Sequence, residues 1–225
     1  MLVYKRNSTK GDTLIEALFA ITVFSLVAVG GLAIMNQGTA TSQRALEITL
    51  VRNEVDAQAE TLRFLNSSYI AAYQSGVSGC TDDLSNINLG SPANQWQAML
   101  CYIENHPSKD SSIVFSDTSC PQAQADYNPS TDGWFILNTR KATFVEPVGQ
   151  FKTAQTFSQV RYKSDDTVDT ADGIWIVPVQ AKTVFANNQN TAGYTDFYIR
   201  ACWDSLGQSV PVTIGTIVRL YEPRG

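Results

Sequence analysis

The hydrophobic pattern of this chain changes character three times. From Ala17 to Gln43 there is no charged residue, and the apolar run from Leu14 to Met35 covers about 22 residues. At about 1.5 Å per residue a helix of that length crosses the hydrocarbon core of a bilayer. Further on, Ile48, Val51, Val55, Ala59, Leu62, Leu65 and Tyr69 recur three or four residues apart. That spacing predicts an amphipathic helix with one apolar face, which packs on a sheet. Arg44, Glu47, Arg52, Glu54, Asp56, Glu60 and Arg63 fall largely off the stripe, on a face expected to be solvated. No proline interrupts residues 12–73, so the two patterns predict one long helix. Gly30, Gly31 and Gly38 are its weak points, each costing up to about 1 kcal/mol relative to alanine.

Beyond Gln74 the periodicity gives way to Gly, Ser, Asn, Asp and Thr between short apolar runs. Trp96 to Ile103 fits a short helix or a strand. Gly133–Asn138, Gly173–Pro178, Asp196–Trp203 and Val212–Tyr221 are aromatic and β-branched runs bounded by turn formers, and they predict strands. In the third run, alternation puts Phe197, Ile199, Ala201 and Trp203 on one face. Ser205–Gln208 then makes a turn, which predicts an antiparallel hairpin from the last two strands. The expected fold class is α+β: a long N-terminal helix packed by its second half on an antiparallel sheet. The expected organisation is a leader, 1–11, an apolar helix, 12–38, its amphipathic continuation, 39–73, and an exterior β-rich domain, 74–225.

Charge orients this layout. Lys5, Arg6 and Lys10 make the first eleven residues basic without an acid, and removing them takes the net charge from −5 to −8. A short basic flank before an apolar span marks the cytoplasmic side and places the rest of the chain outside. The remainder is acidic and has no basic stripe, which argues against nucleic acid as a partner. Cys80, Cys101, Cys120 and Cys202 all follow the span, an even number suited to two disulfides in an oxidising compartment. Three connectivities exist, and Cys80–Cys101 with Cys120–Cys202 is the expected one. With one histidine, His106, and no Cys-x-x-Cys, a zinc site is not expected.

Three ordinary readings compete for the apolar run: an uncleaved anchor, a signal peptide cut at Gly38-Thr39-Ala40, or a buried core helix. A core helix explains neither the length nor the basic flank. A signal peptide gains nothing from Glu16, a carboxylate near the start of the run that costs a few kcal/mol in a bilayer. The junction itself reads Lys10-Gly11-Asp12-Thr13-Leu14-Ile15-Glu16-Ala17-Leu18. It resembles the type IV prepilin family, whose signature is a basic leader ending in Gly, a residue usually Phe, then Thr-Leu-Ile-Glu and an apolar helix. The resemblance covers about thirty residues; Asp12 departs from it, and such a departure is a mark of minor components. It implies cleavage between Gly11 and Asp12 by a prepilin peptidase and methylation of the new amino group at Asp12. It also implies assembly through Thr13, Leu14, Ile15 and Glu16, with other pilin subunits and the inner-membrane assembly machinery as partners.

The expected role is thus a minor pilin, stored as a single-pass membrane protein and then carried in an extracellular pilus, where it primes assembly or presents a binding surface. A pseudopilin of a type II secretion or DNA-uptake system is the alternative. A membrane-anchored exterior binding protein that never polymerises is a third reading. Glu16 has a physical role of its own. After cleavage the Asp12 ammonium lies one turn away, and Glu16 can pair with that of a neighbouring subunit and set the axial register.

No cofactor is expected and no enzyme. Asp165, Asp166, Asp169 and Asp172 concentrate carboxylates in one short stretch, but their spacing is not that of an EF-hand, and a solvated turn ending at Gly173 is the better reading than calcium. His106 lacks a nucleophile elbow and reads as a loop histidine. Trp96, Trp134, Trp175 and Trp203 are expected in the core or at its edge. Asn66-Ser67-Ser68 forms a glycosylation sequon that exit from the helix explains equally well.

Overall fold

A single α-helix, α1, takes up Asp12–Tyr73 and runs through Gly30, Gly31 and Gly38 without interruption. The computed structural model describes residues 12–73, 90–106, 120, 133–145, 149, 151–181, 193–205 and 207–221. The chain forms two compact units, divided in sequence between Ala45 and Leu46. The first contains the apolar half of α1, and the second contains its amphipathic half and the C-terminal domain.

In the second unit the stripe is where the spacing predicts it. Val51, Val55, Ala59, Leu62, Leu65 and Tyr69 are all buried, and Ile48 is partly so. The opposite face is less uniformly solvated than expected. Arg52, Asp56, Glu60 and Arg63 are exposed, but Glu47 and Glu54 are half-buried. The correction has a physical cause: Glu47 Oε2 accepts hydrogen bonds from Trp203 Nε1 at 3.2 Å and Ser205 Oγ at 2.8 Å. Gln58, fully buried beside the stripe, donates from Nε2 to the Leu137 carbonyl at 2.9 Å and accepts from the Leu137 amide at 3.1 Å. Its carboxamide supplies a donor and an acceptor to the backbone of Leu137, as a neighbouring strand would. Asn66–Ser68 is not a helix exit. The Ser67 and Ser68 hydroxyls donate to the Phe64 carbonyl within α1, and Asn66 is buried.

The ambiguous run at Trp96 belongs to a helix, α2, Pro92–Asn105. Ser91 caps it, accepting from the Asn94 amide at 3.2 Å, and Pro92 occupies the first turn, where its missing N–H costs nothing. Trp96, Met99, Tyr102 and Ile103 form its buried face.

Among the described residues eight strands make three small sheets rather than the single antiparallel sheet expected. β1 (Ile136–Asn138) pairs antiparallel with β2 (Thr143–Val145). β3 (Phe151–Lys152), β4 (Gln159–Tyr162) and β5 (Val168–Asp172) form a mixed sheet of order β3-β5-β4, with β3 and β5 parallel. β6 (Ile174–Ala181), β7 (Tyr194–Trp203) and β8 (Val212–Tyr221) form an antiparallel sheet in sequence order. The last two make the expected hairpin, with a turn closed by the Gln208 amide on the Ser205 carbonyl. Phe197, Ile199, Ala201 and Trp203 share one face and are wholly buried, as their alternation predicts.

Gly173 makes the corner between β5 and β6 at φ +63°, and a Cβ there would lie 2.4 Å from the Cys202 carbonyl oxygen. Only glycine satisfies both the left-handed backbone and that close approach. Cys202 bonds Cys120. Cys101 is also in a disulfide, while Cys80, its expected partner, lies outside the described residues.

Candidate functional site

The junction expected to carry the chemistry begins outside the described residues: the leader and Gly11 lie there. Asp12 and Thr13 open α1. Leu14 and Ile15 follow, 68% and 71% exposed, and Glu16 is exposed as well. Because Asp12 and Glu16 are four residues apart in one helix, they share a face one turn apart.

The surface that continues from them is apolar all round. Leu14, Ile15, Leu18, Phe19, Ile21, Val23, Phe24, Leu26 and Val27 occupy every direction around the axis, and their exposures run from 44% to 74%. A helix of this kind is either a core helix or a membrane span. One 18-residue stretch reaches a mean hydropathy of 2.4, long and apolar enough to cross a membrane. Its hydroxyls have acceptors within the helix: Thr22 donates to the Phe19 carbonyl at 2.8 Å and Ser25 to Ile21 at 2.7 Å. Bonds of this kind would satisfy these polar atoms where water is absent. Glu16 has no hydrogen-bond donor of this kind among the described residues, and it is the acid at the start of the apolar run.

The acidic stretch of the C-terminal domain is not one solvated turn. Val168–Asp172 is strand β5, and its carboxylates go to separate partners. Asp165 accepts from the Thr167 hydroxyl at 2.6 Å and the Thr167 amide at 3.0 Å, hydrogen bonds that hold its pKa below the usual carboxylate range. Asp166, in the left-handed region at φ 60°, pairs with Arg140 at 2.6 Å. Asp172, with its side chain only 7% exposed, pairs with Arg161 at 2.7 Å. Among the described residues no cluster of three or more His, Cys, Asp or Glu is arranged to hold a metal ion. The pattern of acids in sequence could not reveal this, because Arg140 and Arg161 come from elsewhere in the chain.

His106 sits at the C-terminal cap of α2, donating from Nδ1 to the Tyr102 carbonyl at 3.0 Å with its ring stacked on Tyr102. All four tryptophans are buried, and Trp134 stacks on Trp175 with ring centroids 5.3 Å apart.

The outer face of the hairpin holds polar residues that local sequence did not single out. Asp196, largely buried, accepts from Nε and Nη2 of Arg219, each at 2.7 Å, and Arg219 lies over the Tyr194 ring at 4.1 Å. Their pairing follows from the register, which sets Asp196 opposite Arg219. The signal for it is the opposite signs at facing positions of two strands already predicted to pair.

No family model matches this chain, and no curated protein or solved structure matches it.

Proposed function

We propose that this chain is a minor subunit of a type IV pilus, held in the membrane by the apolar half of α1 and assembled through that same helix. The single observation that carries the reading is the junction Lys10-Gly11-Asp12-Thr13-Leu14-Ile15-Glu16 opening a helix that is apolar and exposed all round. Such a surface requires either lipid or neighbouring helices, and the storage and assembly of a pilin supply each in turn. Processing after Gly11 leaves an ammonium on Asp12, and Glu16 of an adjacent subunit is the counter-charge it needs. The C-terminal domain then stands outside the membrane, stabilised by its disulfides. A pseudopilin of a secretion or DNA-uptake piston shares every one of these features and differs in the machinery that accompanies it. A non-polymerising anchored protein shares the helix but has no use for Glu16.

Glu16→Ala separates the last reading from the first two. An assembling subunit keeps membrane insertion, since removing a carboxylate eases it. It drops from the sheared filament fraction at least about ten-fold, because an unpaired ammonium in an apolar interface costs several kcal/mol. Equal recovery of wild type and Glu16→Ala in filaments would remove the pairing role. Absence of both from any filament would favour the simple anchor.

A further inference from the structure

The mixed sheet β3-β5-β4 has two faces of opposite character. Phe151, Val160 and Ala171 stand on one face and are buried in the core. The register sets Lys152 and Gln159 on either side of Asp172, and Arg161 opposite Thr170, so polar residues of all three strands share the other face. Simple alternation would turn Asp169 toward the core. Instead the pairing passes from Arg161–Thr170 to Tyr162–Val168, a β-bulge that leaves Asp169 unpaired. Bulges re-aim side chains. Here Asp169 is exposed and joins Thr170 on the polar face.

A cavity of about 140 Å³ opens on this face, and Lys152, Gln155, Arg161, Asp169, Thr170 and Asp172 line it. Thr170 and Asp172 form its inner wall, only 6% and 5% exposed. Asp172 is satisfied there by Arg161 Nε at 2.7 Å. Thr170 is not, because its Oγ1 is buried with no hydrogen-bond partner. A buried hydroxyl left unpaired is costly and uncommon, and a ligand in the cavity is what could satisfy it. Lys152 and Asp169 stand at the rim, both exposed, and among the described residues neither side chain has an ion-pair or hydrogen-bond partner.

The uncommitted groups select the occupant. They are an ammonium, a carboxylate, a hydroxyl and the Gln155 carboxamide, with Arg161 and Asp172 already neutralising each other. Balanced charge disfavours a simple anion, and Lys152 and Arg161 together repel a metal ion. The cavity holds about four or five waters at about 30 Å³ each, so its ligand is small. The rows of Lys152 and Thr170 lie two residues apart along β5, about 7 Å. A molecule with an ammonium and a carboxylate on one carbon spans such a gap, given a charge-assisted hydrogen bond of about 2.8 Å at each end. We propose that the polar face of β3-β5-β4 binds a free α-amino acid. Its carboxylate accepts from Lys152 Nζ and Thr170 Oγ1, its ammonium donates to Asp169 and Gln155 Oε1, and its side chain points to solvent. The site uses no residue of the N-terminal junction, so it stands or falls separately from the pilin reading.

The test uses the full chain in micelles of deuterated detergent, titrated with L-alanine and read by saturation-transfer difference NMR of the alanine methyl group. Saturable binding is expected, with a dissociation constant of about 1 mM, the scale open to so small a ligand. Lys152→Gln and Asp169→Asn should each weaken it about ten-fold, since each removes a charge-assisted hydrogen bond. Thr170→Val keeps the branched shape and should weaken binding about five-fold while leaving thermal stability at or above that of wild type. Thr170→Ser should recover most of the affinity, and the circular dichroism of all four variants should match wild type. Lactate, which lacks the ammonium, and alanine methyl ester, which lacks the carboxylate, should compete at least about ten-fold more weakly than alanine. No saturable binding overturns the proposal, as does binding indifferent to both Lys152→Gln and Asp169→Asn. Lactate or the ester competing as well as alanine would make this a site for a single charge. Displacement of alanine by glucose at equal concentration would make it a polyol site, and either result also overturns the proposal.

Discussion

Burial sets the energetics at Glu54. One carboxylate oxygen, Oε1, is buried with no hydrogen-bond partner among the described residues. Burial pushes the pKa of the group up, while the Gln58 side chain and the Arg140 charge pull it partly back. A folded-state pKa above the unfolded value of about 4.3 contributes stability that is fully present below that value. The contribution is lost as pH rises through the raised folded value. Glu54→Gln removes this dependence and avoids a buried charge at neutral pH. Thermal melts should show the variant more stable than wild type at pH 7, with the difference closing as pH falls toward about 4. Asp196 has the opposite sign: its hydrogen bonds to Arg219 hold its pKa down, so its contribution is lost only as pH falls below about 3.9. Glu54 also marks a limit of sequence reading. Its position off the stripe predicts solvent, and only the approach of Arg140 and the chain around Tyr162 makes it half-buried.

The elements differ in how plainly they are written in the chain. The amphipathic half of α1 is legible because six stripe positions repeat at helical spacing with no proline between them, and each is buried. The C-terminal hairpin is legible because β7 and β8 each span ten residues of β-branched and aromatic character. β2, β3, β4 and β5 are not, being two to five residues long. Alternation over so few positions carries no signal, and their pairing depends on contacts distant in sequence, such as Phe151 beside Ala171. The side chains that tie α1 to the sheets were equally hidden, since Glu47 and Gln58 bond groups 156 and 79 residues away. Glu47→Ala leaves the Trp203 indole N–H and the Ser205 hydroxyl without their acceptor. Denaturant titration should show a loss of about 1–3 kcal/mol, with a change in Trp203 fluorescence. Glu47→Gln, which keeps an acceptor, should recover part of it.

At the scale of the whole molecule, the Cys120–Cys202 disulfide joins residues 82 apart, and Cys202 lies in the central strand β7. A closed loop of that length restricts the unfolded chain strongly. The double variant Cys120→Ser/Cys202→Ser should lose about 2–5 kcal/mol of stability toward denaturant, while its helix keeps the protein in the membrane fraction. The division between Ala45 and Leu46 makes that separation of effects reasonable, because the apolar half of α1 belongs to the other unit. The assembly site is proposed from residues 10–16 alone, since a basic leader, a glycine and an acid entering an apolar run are local features. The claim on which the account rests is that the chain is processed after Gly11 and assembled through the new terminus. The most direct test is the N-terminal sequence and intact mass of the protein recovered from sheared surface filaments. The account predicts a start at Asp12 in the filament fraction, with an added mass of about 14 Da marking a methylated amino group. A start at Met1 or near Thr41, with none of the protein in filaments, would contradict it.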